Sequence, residues 1–257
     1  MSNISSKQKI IIANWKMKLG FRESLSLARK IRQRFKNFSG NVVICPDFVS
    51  LYSCGQEIKK SNLKLGAQDA FWQDSGAYTG EISPQTLKTA GCRYVILGHS
   101  ERRKYLKEDY NLINLKLKKV LAVSALTPVI CIGENQKERS QGLVKSVLTR
   151  QLQEGLKGVA LKADQKVIIA YEPLWAIGSG KVIKNKDLEE ISGIIKQFLK
   201  KSRSGRGRDK FSIIYGGSVD SKNIKGISQI EGIDGCLVGG ASLKPAEFYK
   251  ICRGMLT

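Results

Sequence analysis

Histidine occurs once in the 257-residue chain, at His99, so any histidine chemistry must happen there. It lies in Gly98-His99-Ser100-Glu101-Arg102-Arg103, where a β-branched run gives way to helix-forming residues. Glu101 in the first turn is the natural electrostatic complement of that helix start. A second candidate is Glu172, which stands where the apolar run Ile168–Tyr171 ends. Pro173 follows, then the apolar tip Leu174-Trp175-Ala176-Ile177 and the exit Gly178-Ser179-Gly180-Lys181. A carboxylate at a strand's C-terminal end, followed by a stiff-then-flexible loop, reads as a base beneath a closing lid. The bland alternative is a buried strand, a surface glutamate and an ordinary connection. Asn14 and Lys16 are two residues apart at the end of another apolar run, and strand alternation would aim both at one place. Two glycine pairs, Gly216-Gly217 before Ser218 and Gly239-Gly240, would let backbone N–H groups approach an anion closely. Either pair alone is a weak signal. Both together, opposite a lysine and a histidine, make a specific phosphate-binding pattern.

Positioning such groups requires a scaffold that brings many strand ends to one place. Apolar or β-branched runs recur at Ile10–Ala13, Val42–Cys45, Leu63–Ala67, Tyr94–Leu97, Val129–Ile132, Val167–Ala170, Ser212–Tyr215 and Cys236–Val238. Between them, Leu25, Ala28, Ile31 and Phe35 share one helical face, as do Leu143, Val147, Leu148, Leu152 and Leu156. Leu188, Ile191, Ile195, Phe198 and Leu199 form a third such face. Ser83-Pro84 gives an N-cap followed by proline at the first helical position, and Asp187-x-x-Glu190 has the pattern of a capping box. Alternating strands and helices allow a closed β/α barrel or an open doubly wound sheet. The first strand leads into Asn14-Trp15-Lys16 rather than GxGxxG, and eight strands in this length fit the closed eight-stranded parallel β/α barrel better. The expectation is one barrel domain over residues 1–257, with residues 1–8 a short polar tail. Cys131-Ile132-Gly133-Glu134 reads as packing and a helix start. Gln68–Glu81, rich in glycine and aromatics, is long enough to be functional, and its Phe71, Trp72 and Tyr78, if exposed, suggest insertion into a partner.

Composition adds exclusions. No apolar run reaches the roughly 20 residues needed to span a membrane, and Met1 to Lys9 has no apolar signal-peptide core, so a cytoplasmic location is expected. The six cysteines show no CxxC pair or metal spacing and read as reduced core residues. The net charge of +22 allows nucleic acid, an anionic surface or a small acidic substrate as partner. Lysine and arginine are spread through most polar segments, with one dense run at Lys200–Lys210 expected opposite the strand C-termini. Without a recognised nucleic-acid module, a basic surface is the favoured reading and nucleic acid is not the expected partner.

Seven motifs in order, ANWKM (13–17), AYTGEIS (77–83), GHSERR (98–103), CIGE (131–134), AYEPLWAIGSGK (170–181), YGGSV (215–219) and LVGGASL (237–243), resemble the triosephosphate isomerase family. The resemblance runs from Ile10 to nearly the C-terminus. It implies interconversion of dihydroxyacetone phosphate and glyceraldehyde 3-phosphate through an enediolate, in glycolysis and gluconeogenesis, with no metal or organic cofactor. Glu172 matches the base and His99 the electrophile, acting as neutral imidazole. Lys16 matches the stabilising cation, supported by Asn14, with Glu101 a nearby acid of less settled role. Gly178, Ser218, Gly239 and Gly240 match the backbone phosphate grip. Pro173, Trp175, Ile177, Gly178 and Lys181 match the lid. The resemblance further implies a homodimer in which the Gln68–Glu81 loop enters the neighbour, with Thr79 touching its site. Lys18 and Asp69 stand where asparagine is common in the family, near the expected subunit contact, and the exit Lys181–Asn185 is less typical. The chemistry has its own logic: carbon acids ionise poorly, so the base needs an electrophile opposite it and a site closed to water.

Overall fold

The computed structural model describes residues 9–178, 182–201 and 210–257. Eight parallel strands close into a barrel in sequential order. In chain order they are β1 (Ile10–Asn14), β2 (Asn41–Cys45), β3 (Lys64–Ala67), β4 (Cys92–Leu97), β5 (Thr127–Ile132), β6 (Val167–Tyr171), β7 (Phe211–Tyr215) and β8 (Gly235–Val238). The connections carry α1 (Phe21–Arg34), α2 (Phe48–Ile58), α3 (Pro84–Thr89), α4 (Ser100–Tyr105), α5 (Tyr110–Ala122), α6 (Gln136–Ser140), α7 (Val144–Gly155), α8 (Asn185–Lys201), α9 (Ile224–Ser228) and α10 (Pro245–Leu256). All eight expected strands are present, several extended by a residue or two.

Strand alternation produces two cores. Ile10, Ile12, Val43, Cys45, Ile96, Val129, Cys131, Ile168, Ala170, Ile214 and Leu237 fill the barrel interior with Tyr94. The alternate residues, such as Ile11, Ala13, Val42 and Ile44, face the helices and join a larger outer layer. Removing one such side chain to alanine typically costs about 2–5 kcal/mol, so both faces of every strand resist polar substitution. Glycine is required where the interior narrows: a Cβ on Gly66 would lie 2.6 Å from Cys45 Sγ. At the closing seam, a Cβ on Gly235 would lie 1.8 Å from the Ile10 carbonyl oxygen. The six cysteines are free and buried. Burial pushes the thiols of Cys45 and Cys131 well above their ordinary range, consistent with small hydrophobes.

The amphipathic faces are largely as expected: Leu27, Ala28 and Ile31 bury on α1, and Leu188, Ile191, Ile195 and Leu199 on α8. Three local expectations need correction. Leu143 precedes α7 and is exposed. Asp187 does not cap α8; the helix begins at Asn185, and Asp187 instead accepts from Arg139 Nη2 at 2.6 Å. Phe71 is buried, its ring 3.8 Å from that of Trp72 and 4.6 Å from that of Tyr78; Trp72 is half-buried, and of the three only Tyr78 is exposed, with part of its ring against Phe71. The Ser83 cap of α3 is present, with Ser83 Oγ accepting from the Thr86 N–H at 3.2 Å. Most of the basic run Lys200–Lys210 (residues 202–209) lies outside the described residues.

Beneath the start of the Gln68–Glu81 segment lies a buried four-charge cluster. Asp69 accepts from Lys116 Nζ at 2.7 Å and from Arg102 Nη2 at 2.8 Å, and Glu108 binds the same two cations. Burial pushes the Asp69 carboxyl up to about 6, outweighing the pull of Lys116 and Arg102 in the other direction. Because the folded value lies above that of an unfolded carboxylate, the stability tied to its protonation is present in acid and lost as pH rises through about 6. Asp69→Asn removes this dependence. The gap between wild type and variant is expected to shift in the variant's favour by on the order of 2 kcal/mol between pH 4 and pH 7. Parallel thermal-unfolding curves across that range would contradict the prediction.

Candidate active site

The C-terminal ends of the strands open on a cavity of about 450 Å³, lined by Asn14, Lys16, His99, Glu101, Glu172, Gly178, Ser218, Gly239 and Gly240. Every expected catalytic and phosphate-side residue therefore converges there. Ile177 also lines it. Pro173 and Trp175 do not line it, and Lys181 lies outside the described residues. Thr79 is exposed on its loop, away from this chain's own cavity.

Lys16 reaches the mouth differently from the expected strand alternation. β1 ends at Asn14, and Lys16 adopts a left-handed backbone with φ of 55°, a conformation costing roughly 1–2 kcal/mol outside glycine. Two side chains hold it. Asn14 Oδ1 accepts from the Lys16 N–H at 3.0 Å. Gln68 Nε2 donates to the Lys16 carbonyl at 2.9 Å and to the Cys45 carbonyl at 3.0 Å. The ammonium is then fixed by Glu101, 2.7 Å away. Glu101 thus ties the end of β1 to the start of α4.

His99 is the N-cap of α4, and its Nδ1 accepts from the Glu101 N–H at 3.3 Å. An acceptor at Nδ1 leaves the proton of a neutral ring on Nε2. Nε2 faces inward, 3.1 Å from Glu172 Oε1 though out of line for a hydrogen bond. Gly98 makes the turn possible: its φ is 66°, and a Cβ there would strike Ile113 Cδ1 at 2.4 Å.

Glu172 is fully buried. Its Oε2 accepts from the Ser100 N–H at 2.9 Å, and Arg103 Nη2 stands 4.0 Å off. Two glycines give it room. A Cβ on Gly216 would lie 2.9 Å from Glu172 Cγ, and one on Gly133 would overlap the Glu172 carbonyl oxygen at 1.8 Å.

The loop after Glu172 is anchored by a residue that sequence reasoning treated as packing. Glu134, fully buried, accepts from Tyr171 Oη at 3.0 Å, Arg139 Nη1 at 3.2 Å and Trp175 Nε1 at 3.0 Å. Burial and the adjacent Glu134 push the Tyr171 hydroxyl far up, keeping it a donor. Ser218 Oγ donates to the Ala176 carbonyl at 2.6 Å, so a residue expected at the phosphate also touches the loop. Gln68 and Glu134 were missed as positioning residues because both act on backbone or loop atoms; glutamine directly after β3 and glutamate after Gly133 were the available signals.

Comparison with known proteins agrees with this geometry. Residues 9–255 match the family model described as triosephosphate isomerase. The chain belongs to the triosephosphate isomerase family. It is 44% identical over 248 residues to the triosephosphate isomerase of Dictyoglomus thermophilum, covering 96% of this chain and 99% of that one. Against the triosephosphate isomerase of Dehalococcoides mccartyi it is 43% identical, covering 96% of each. The crystal structure of triosephosphate isomerase from Bartonella henselae superposes with a TM-score of 0.85 at 34% identity, covering 97% of this chain and 100% of that one. Membership in the triosephosphate isomerase family accounts for the closed barrel and for the placement of the motifs at its strand ends.

Proposed function

We propose that this chain interconverts dihydroxyacetone phosphate and D-glyceraldehyde 3-phosphate, as a step of glycolysis and gluconeogenesis. The observation that carries the reading is the convergence of the Glu172 carboxylate, the His99 imidazole and the Lys16 ammonium on a cavity also lined by glycine backbone. Glu172 moves the proton between the two carbons. His99 Nε2–H polarises the carbonyl, and Lys16 offsets negative charge on substrate and intermediate, with Asn14 holding its backbone. Gly178, Ser218, Gly239 and Gly240 take the phosphate, whose binding energy can drive closure of the loop from Pro173 to Lys181. Closure then excludes water and protects the enediolate. In the present position the Ser100 N–H engages Glu172 Oε2; the carboxylate turns from that donor to reach a substrate carbon. No step calls for a metal or an organic cofactor. An assay coupling product aldehyde to a dehydrogenase tests the proposal, and purified chain that turns over neither triose phosphate would end it.

The working unit is a homodimer built through the Gln68–Glu81 loop, with Thr79 reaching the neighbour's site near Asn14 and Lys16. Exposed Met17, Val49 and Tyr78 on this side of the barrel support it. Sedimentation of fully active enzyme as a monomer would contradict the arrangement. The compartment is the cytoplasm, in keeping with six free thiols. Among the described residues, no helix is long and apolar enough to cross a membrane.

A further inference from the structure

The opposite end of the barrel holds a second cavity, of about 590 Å³, between the end of α2, the connection after α3, and the first residues of β3, β4 and β5. Its charged lining is of one sign: Lys59, Lys64 and Arg93, with no carboxylate among the lining residues. The three come from different elements, Lys59 at the C-cap of α2, Lys64 opening β3, and Arg93 within β4. The fold, not a run of lysines in the sequence, brings them together.

Neighbouring cations at this end are already occupied. Lys9 donates to the Ser228 and Ile233 carbonyls. Arg29 and Arg32 share Glu57, and Lys88 donates to Ser124. Among the described residues, no ion pair or side-chain hydrogen bond engages Lys59 or Arg93, and Lys64 has only the Tyr94 ring, 5.9 Å from its Nζ. Part of this charge offsets the carbonyl ends of α2 and α3, an effect confined to the last turn and worth about 0.3–1 kcal/mol per charge. Three cations exceed that need. A cleft of single sign with low-dielectric walls concentrates counter-ions, and Gln56 and Thr127 on its wall add uncharged hydrogen-bonding groups.

We propose that this cavity is an anion site, separate from the isomerase centre, for an oligophosphate: a chain of two or three phosphate groups, free or carried by a nucleoside. Three spaced cations suit several linked phosphates better than one. The volume admits such a chain, and the cavity is open to solvent at the barrel floor, so occupancy need not interfere with substrate.

The test is calorimetric titration of the full chain with inorganic tripolyphosphate and with ATP at fixed ionic strength. Wild type is compared with the triple variant Lys59→Gln, Lys64→Gln, Arg93→Gln. A control variant, Lys30→Gln, Lys145→Gln, Lys201→Gln, loses the same charge elsewhere on the surface. The first triple variant is expected to lose about tenfold or more in oligophosphate affinity, with kcat and KM for triose phosphate unchanged; the control keeps wild-type affinity. Loss confined to ATP identifies the nucleoside-borne chain as the ligand, and loss confined to tripolyphosphate the free anion. Equal losses in both triple variants would reduce the effect to net charge and overturn the site. So would unaltered affinity in the first variant, or an effect on binding of a short DNA duplex alone.

Discussion

Glu172→Asp is expected to lower kcat by about a hundredfold or more while KM stays near the wild-type value. The substitution keeps the charge and withdraws the carboxylate by one methylene, and displacing a reacting group by about 1 Å can cost on that order in rate. The site leaves the backbone no room to compensate. Gly216 and Gly133 pack within van der Waals distance of Glu172, and its N–H donates to the Ile132 carbonyl at 2.7 Å. Substrate contacts on the glycine side are untouched, so ground-state binding persists. Steady-state kinetics in both directions measure the split. Full activity in the variant would remove Glu172 from the role of base.

Lys16→Met should behave differently, raising KM as well as lowering kcat. An ammonium near a phosphate and a developing enediolate interacts with both ground and transition states. At an effective dielectric of about 20, one such charge at 4 Å is worth roughly 4 kcal/mol, or about a thousandfold in kcat/KM. Methionine follows the lysine stem as far as Cε, removes the ammonium, and leaves the backbone support from Asn14 and Gln68 in place. The loss therefore reports the charge rather than collapse of the turn. A variant that bound substrate as tightly as wild type would place the cation's role elsewhere.

The barrel and its site were readable to different depths, for physical reasons. Buried parallel strands are continuous apolar runs, so Ile10–Ala13 and Val167–Ala170 announced themselves. Strand ends are where such a fold presents groups to a ligand, and the cavity there is lined by Glu172, His99 and Lys16, as expected by position. The supports were not. Gln68 acts on the carbonyls of Lys16 and Cys45, and Glu134 gathers an indole, a phenol and a guanidinium from three segments. Neither pairing leaves a local pattern, because each exists only after the chain has folded. Phe71 failed for a related reason: its neighbours Trp72 and Tyr78 cover it, and no periodicity in a glycine-rich loop foretells that. Asp187 satisfied a local capping rule but found a stronger long-range partner in Arg139.

The seam between β1 and β8 sets an order in time. Ile10 to Ala13 pair with Gly235 to Val238, so the strand leading to Asn14 and Lys16 lies beside the strand leading to Gly239 and Gly240. The Lys16 ammonium and the Gly239–Gly240 backbone are thus far apart in sequence and adjacent in space. Pairings of such long separation pay their loop-closure entropy in full before any contact repays it. During synthesis, a chain that has emerged through β6 already carries Lys16, His99 and Glu172, yet the Gly239–Gly240 wall of the pocket does not exist until β8 docks. Competence therefore arrives in one late event, with the last strand.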